Sequence, residues 1–187
     1  MKTRIAKLFL RITGWSPEGS APAARGYVLI AAPHTTNWDL LYFLALAWAL
    51  GVEVSWMGKS ALFGGPMGPL MRALGGVPVR RDRRNDLVSQ MAAAFDANPR
   101  LVLTVPAEGT RGYVPHWKSG FYRIALAAEV PIVMGYLDYP RKCGGFGPEL
   151  IATGDVCRDM DEIRAFYADK VGKHPDKFGE VRLKEEM

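Results

Sequence analysis

Residues 27–39 of the chain read YVLIAAPHTTNWD, an apolar run that turns into a short polar cluster. The first six residues predict a strand that is buried on both faces, because no polar residue interrupts them. The apolar segment that follows, residues 40–50, predicts a helix. His34 then lies at the carboxyl end of a strand, where open α/β folds bind their ligands, and Asp39 lies in the first turn of the helix.

The spacing of His34 and Asp39 allows the carboxylate to fold back toward the imidazole. A carboxylate that accepts from Nδ1–H fixes the tautomer of the ring and leaves Nε2 as a base. The same stretch also fits a structural role, in which Thr35, Thr36 or Asn37 caps the helix and Asp39 interacts with its dipole. These seven residues alone leave both interpretations open.

Strands and helices alternate along the rest of the chain. Further strands are predicted at residues 52–57, 77–79, 101–105 and 131–137, with a hairpin-like return at 142–152. Further helices are predicted at residues 70–74, 85–98, from Ser119 onward and at 159–171. At 187 residues the chain fits one domain. The alternation predicts a single α/β domain with a mostly parallel central sheet flanked by helices.

The N-terminal segment, residues 1–25, is predicted to be an amphipathic helix and a loop that precede a main domain at residues 26–187. One helical face carries apolar side chains beside several basic residues, and these are Ile5, Leu8, Phe9, Ile12 and Trp15. Such a helix either lies in an anionic bilayer interface or docks on the core of its own domain. No apolar run reaches the ~20 residues that a membrane-spanning helix needs.

The composition narrows the partners and the chemistry. A net charge of +5 favours an acidic partner, such as a phosphate, an anionic lipid or a nucleic acid. Cys143 and Cys157 form no disulfide framework, which is typical of a reducing compartment. The three histidines show no zinc-site spacing, so no metal site is predicted. The nucleotide-binding motifs G-x-x-x-x-G-K-[ST] and G-x-G-x-x-G do not occur in the sequence, and neither does the G-x-S-x-G motif of serine hydrolases.

Two other predicted strands also end in charged clusters. Arg80 and Arg81 follow residues 77–79, and their guanidinium groups suit a phosphate. The sequence Glu108-Gly109-Thr110-Arg111 follows residues 101–105, where backbone N–H groups can cradle an anion. Arg111 either binds that anion or pairs with Glu108. A parallel sheet brings these strand ends and His34 to one edge, which predicts a site for an anionic substrate.

Four segments resemble, in order and approximate spacing, the four motifs of the glycerolipid acyltransferases. They are His34-x4-Asp39, Gly75–Arg81, Glu108–Arg111 and Val130–Val133. That family includes the glycerol-3-phosphate and 1-acylglycerol-3-phosphate acyltransferases, and this chain resembles a short, divergent bacterial-type member. The departures, among them Thr35-Thr36-Asn37-Trp38 between the histidine and the aspartate, concern the identity of the acceptor more than the reaction.

The resemblance implies an O-acyltransferase that moves a fatty acyl group from acyl-CoA or acyl-carrier protein to the hydroxyl of a phosphate-bearing lysolipid. It implies His34 as the base, Asp39 as its partner and no cofactor. The acceptor site would comprise Arg80, Arg81, Glu108, Gly109, Thr110 and Arg111. Lys59 and Lys118 are added to it from their charge and position.

The expected partners are the acyl thioester, the lysolipid and an anionic membrane surface, without nucleic acid. The enzyme is expected to be peripheral on the cytoplasmic face of the inner membrane. Two alternatives remain: a different acceptor, such as glycerol-3-phosphate or another lysolipid, and a basic nucleic-acid-binding module. The latter has no recognisable binding motif and leaves the pair of His34 and Asp39 unexplained.

Overall fold

The computed structural model describes residues 1–79 and 84–187, with the backbone but not the side chains of Lys59 and residues 84–86. Within these residues seven strands form one sheet. The strands are β1 (Ser16–Glu18), β2 (Tyr27–Ala32), β3 (Ser55–Lys59), β4 (Gly76–Val79), β5 (Val102–Val105), β6 (Ile132–Asp138) and β7 (Cys143–Leu150). The helices are α1 (Lys2–Thr13), α2 (Trp38–Ala49), α3 (Gly68–Ala73), α4 (Arg84–Ala97), α5 (Gly120–Ala128) and α6 (Val156–Tyr167).

The sheet has the order β1-β7-β6-β2-β5-β3-β4. Strands β2 to β6 run parallel, and β7 returns antiparallel to β6. Ile30 of β2 lies opposite both Val105 of β5 and Met134 of β6, so these three strands end side by side. The predicted α/β fold, with a mostly parallel central sheet and an N-terminal helix, is confirmed.

Strand β2 is buried because helices cover both faces of the sheet. Val28 and Ile30 pack in one core with residues of α4, α5 and α6, whereas Tyr27 and Leu29 pack in another with residues of α2. Successive side chains of a strand point to opposite faces of the sheet. Because both faces are covered at β2, every residue of this strand must be apolar. The run therefore places the following loop at the centre of the sheet edge.

The predicted loop at residues 16–25 begins with a strand that the sequence analysis missed. Ser16–Glu18 forms β1, which pairs in parallel with Cys143–Gly145 of β7 at the margin of the sheet. A three-residue edge strand that contains proline has no apolar alternation to reveal it. Its pairing depends on a partner more than 120 residues later in the chain, which local patterns do not contain.

Helix α1 docks on α2 through an apolar arc that coincides only in part with the predicted one. Ala6 and Leu10 are buried against α2, and Trp15, which follows the helix, is buried in the same cluster. Phe9 packs against this cluster as well. Ile5, Leu8 and Ile12 instead remain exposed. The helix thus packs on its own domain and also presents apolar side chains outward. None of the helices in the described residues has the length and apolar character needed to cross a membrane.

Candidate active site

The loop after β2 brings His34 and Asp39 together. Nδ1 of His34 lies 3.3 Å from Oδ2 of Asp39, and the two side chains are 22% and 4% exposed. Asp39 is in the first turn of α2, as predicted. With Nδ1 directed at the carboxylate, Nε2 is the ring nitrogen left to exchange a proton with a substrate.

The Asp39 carboxylate also shapes the loop that carries His34. Oδ2 accepts from the backbone N–H of Thr35 at 2.7 Å and of Thr36 at 2.9 Å. Burial raises the pKa of Asp39, but the contacts with His34, Tyr139 and these two N–H groups outweigh it and hold the pKa below its usual value. Asp39 therefore stays ionised beside the imidazole. Asn37 is the helix N-cap, but its side chain makes no capping bond.

Glu108 lies behind the loop rather than in the open site. Its side chain is almost fully buried, and Oε1 accepts from the backbone N–H of His34 at 2.8 Å. Oε2 has no hydrogen-bond partner among the described residues. Burial raises the pKa of Glu108 to about 7, and the N–H of His34 counters only part of that effect. Glu108 thus ties the end of β5 to the end of β2.

The turn after Glu108 holds the other predicted residues of this cluster. Gly109 has a φ of +69°, and a Cβ atom there would meet Cγ of Lys118 at 3.0 Å, so glycine suits both the backbone and the space. Nη1 of Arg111 contacts Oδ1 of Asn37, and Arg111 makes no ion pair with Glu108 in the described part of the chain. Of the two partners that the sequence allowed for Arg111, an anion and Glu108, the second is therefore not observed among the described residues.

A cavity of about 410 Å³ opens between the ends of β2, β5 and β3. His34, Asn37, Asp39, Gly109, Thr110 and Arg111 form its polar part. Its apolar part is formed by Leu40, Phe43, Trp56, Met57, Leu62 and Leu137. The volume is within the range of small-molecule sites, about 300–1,000 Å³. The lining therefore includes groups suited to an anion and groups suited to a hydrocarbon chain.

The predicted site residues are not all in this cavity. Lys118 lies against the turn at Gly109, and its backbone N–H donates to the carbonyl of Ala107 at 2.7 Å. Arg80, Arg81 and the side chain of Lys59 lie outside the described residues. No group of three His, Cys, Asp or Glu side chains suited to a metal ion occurs in the part of the chain that the structure describes.

Tyr139 is a site residue that the sequence analysis missed. It directly follows β6, and its hydroxyl donates to Oδ1 of Asp39 at 2.6 Å. The same rule that singled out His34, a polar side chain at a strand end, applies to Tyr139. The order of the strands is what reveals the contact, because β6 lies next to β2 in the sheet.

Comparison with protein families identifies the chain. A model of the acyltransferase family, described as Acyltransferase, matches residues 17–135, which include β2 to β5, the loop of His34 and the turn of Glu108. The chain belongs to this family. The resemblance drawn from the four motifs is thereby confirmed, and the chain is an acyltransferase rather than a nucleic-acid-binding module.

A solved structure agrees with the fold of this acyltransferase. The crystal structure of the 1-acyl-sn-glycerophosphate acyltransferase PlsC from Thermotoga maritima matches with a TM-score of 0.59 and 17% sequence identity. The match covers 90% of this chain and 74% of that one. At this identity the likeness concerns the fold alone. A comparison with curated protein sequences gives no match.

Proposed function

We propose that the enzyme is an O-acyltransferase that moves a fatty acyl group from an acyl thioester to the hydroxyl of a phosphate-bearing lysolipid such as 1-acylglycerol-3-phosphate. The observation that carries this proposal is the cavity itself. His34, paired with Asp39, lines it together with Arg111 and a set of apolar side chains. A lysolipid has a hydroxyl between a phosphate and an acyl chain, and the cavity offers groups suited to each.

In the proposed reaction Nε2 of His34 accepts the hydroxyl proton as the oxygen attacks the thioester carbonyl carbon. The tetrahedral intermediate then expels the thiolate, which takes the proton from Nε2 of His34, so that an ester and a free thiol are formed and the imidazole is neutral again. Asp39 stabilises the imidazolium that exists between these proton transfers. The acyl donor is acyl-CoA or acyl-carrier protein, and the reaction needs no cofactor.

The function is tested by measuring thiol release with both donor types across a panel of acceptors. The panel contains 1-acylglycerol-3-phosphate, glycerol-3-phosphate, other lysolipids and uncharged monoacylglycerol. The proposal predicts the highest kcat/KM with an acceptor that has both a phosphate and an acyl chain. A preference for glycerol-3-phosphate would instead indicate that the apolar part of the cavity receives the acyl chain of the donor alone.

Arg111 is proposed to bind the acceptor phosphate, together with Arg80 and Arg81 and the nearby Lys59 and Lys118. The Arg111→Ala variant is expected to raise KM for a phosphate-bearing acceptor about ten- to a hundredfold, with kcat less affected. A charge-assisted hydrogen bond contributes about 1.5–3 kcal/mol, and a contact made equally in the ground and transition states changes KM. Initial rates measured against each substrate separately provide both constants.

Arg100→Ala is the matched control for Arg111→Ala. Arg100 is an exposed arginine that precedes β5, at the opposite end of the strand from Arg111, so its loss removes the same charge away from the cavity. The acceptor KM of this control should stay within about twofold of the parent value. If Arg111→Ala raises the thioester KM selectively, or affects uncharged monoacylglycerol equally, Arg111 does not hold the acceptor phosphate.

We also propose that the enzyme binds anionic membranes peripherally through α1, at the cytoplasmic face of the inner membrane. Ile5, Leu8 and Ile12 are 59%, 59% and 75% exposed, and basic residues lie on the same helix. Partial insertion of three such side chains contributes about 1 kcal/mol each. The variant in which all three are serine is therefore expected to bind phosphatidylglycerol vesicles about a hundredfold more weakly in a cosedimentation assay.

The buried arc of α1, formed by Ala6 and Leu10, is untouched in that variant, so its unfolding temperature should be unchanged. Ile151→Ser is the matched control, because Ile151 is 68% exposed but follows β7, away from α1. Equal vesicle binding by the triple variant and the parent protein would show that another surface holds the membrane.

A further inference from the structure

The two oxygens of the Asp39 carboxylate are held by different parts of the fold. Oδ2 faces His34 and accepts from the N–H groups of Thr35 and Thr36, which belong to the same loop. Oδ1 accepts from the hydroxyl of Tyr139, which lies 100 residues later in the chain. A carboxylate rotates about its Cβ–Cγ bond, so a bond to each oxygen restrains it more than bonds to one oxygen alone.

Tyr139 is itself restrained on both its backbone and its ring. Its backbone N–H donates to the carbonyl of Val171 at 2.9 Å. Its ring packs edge-on against Trp15, with centroids 5.0 Å apart, and against Tyr42, with centroids 6.1 Å apart. Such edge-to-face contacts fix the ring plane and hence the direction of the hydroxyl. The donor to Asp39 is therefore preorganised by side chains from outside the loop of His34.

We propose that Tyr139 is a positioning residue of the acyl transfer reaction, whose hydroxyl fixes the Asp39 carboxylate so that Oδ2 remains directed at Nδ1 of His34. The inference rests on the proposed role of His34 as the base. Tyr139 lies beyond residue 135, where the match to the family model ends. It acts through Asp39 and does not line the cavity.

The protonation states of the two groups suit this role. Burial, and then the neighbouring Asp39 carboxylate, raise the pKa of Tyr139, so the phenol keeps its proton and remains a donor. The bond it donates also favours the ionised form of Asp39. The hydroxyl thus supports both the orientation and the charge of the group that faces the base.

The test compares Tyr139→Phe with Tyr42→Phe. Both variants lose one phenol oxygen from the same aromatic cluster and keep the ring, so both should fold with similar unfolding temperatures. In the described part of the chain the hydroxyl of Tyr42 makes no hydrogen bond to Asp39, which makes it the matched control. Tyr139→Phe is expected to lower kcat about tenfold with both KM values within about twofold, while Tyr42→Phe leaves kcat within about twofold.

A second measurement does not depend on turnover. Low-temperature proton NMR of the parent protein can follow the imidazole N–H signal of His34, assigned by its loss in His34→Ala. This signal should shift or broaden in Tyr139→Phe and not in Tyr42→Phe, because the carboxylate facing Nδ1 is then less restrained. The chain has three histidines, so the assignment is direct.

The two measurements separate the possible outcomes. A selective fall in kcat and a selective change of the His34 signal support the proposal. An unchanged signal and rate in Tyr139→Phe, or equal losses in both tyrosine variants, overturn it, since the ring packing would then be the whole role of Tyr139. If the His34 signal changes selectively but the parent protein transfers no acyl group, Tyr139 still positions the pair and the proposed function is what fails.

Discussion

Replacing His34 by alanine is expected to lower kcat/KM for acyl transfer by about 10²- to 10⁴-fold, the range typical of the loss of a general base. The fold should persist. The backbone N–H of His34, which bonds to Glu108, is unchanged, and the N–H groups of Thr35 and Thr36 keep Asp39 as their acceptor. The loss would therefore lie in the chemical step rather than in the shape of the site.

His174→Ala is the matched control for His34→Ala. The backbone N–H of His174 donates to Oγ1 of Thr35 at 3.2 Å, so this residue adjoins the same loop, but its side chain does not line the cavity. The control should keep kcat/KM within about threefold of the parent value. Steady-state kinetics and circular dichroism of both variants provide the comparison. A folded His34→Ala protein with parent-like turnover would exclude His34 as the base.

The position of this site could be predicted from the sequence because it follows from one rule about parallel sheets. The apolar runs at β2 and β5 marked two central strands, and the polar residues after them had to meet at the carboxyl edge. The structure places His34, Gly109, Thr110 and Arg111 around one cavity there. The sequence patterns indicated which residues follow the strands at that edge. They did not indicate the order of the strands in the sheet.

The contacts that depend on strand order could not be predicted in this way. Tyr139 reaches Asp39 because β6 lies beside β2, and Glu108 reaches the N–H of His34 because β5 lies on the other side. Glu108 was expected in the acceptor site, yet it is buried behind the loop. Its neighbours in sequence, Gly109 to Arg111, gave no indication of this. A glutamate that follows a strand can bind a substrate or can hydrogen-bond to the backbone of a neighbouring loop, and the sequence does not distinguish the two roles.

Helix α1 illustrates a second limit. Its sequence contains two apolar arcs, and periodicity alone does not show which of them meets the domain. Ala6 and Leu10 lie on the arc that packs against α2, whereas Ile5, Leu8 and Ile12 remain outside. The sequence thus predicted the helix and its amphipathic character, but not which of its apolar residues would be buried against α2.

Glu108 provides the second large expected effect, a pH dependence of stability. Its carboxyl has an ordinary pKa of 4.5 in the unfolded chain and a pKa raised to about 7 by burial in the folded one. Between these values the folded protein holds a proton that the unfolded chain has released. The contribution of Glu108 to stability must therefore fall as the pH rises from 4.5 to 7 and then level off. At about 1.4 kcal/mol per pKa unit, the total is roughly 3 kcal/mol.

The Glu108→Gln variant isolates this contribution. Glutamine keeps an oxygen for the N–H of His34 and does not titrate, so it reproduces the neutral acid. Urea unfolding from pH 4 to 8 should show that the stability of the parent protein, relative to the variant, decreases by that amount across the interval. Glu162→Gln on the exposed face of α6 is the control and should follow the parent curve. Parallel curves for the parent and Glu108→Gln would mean that the pKa of Glu108 is the same in the folded and the unfolded chain.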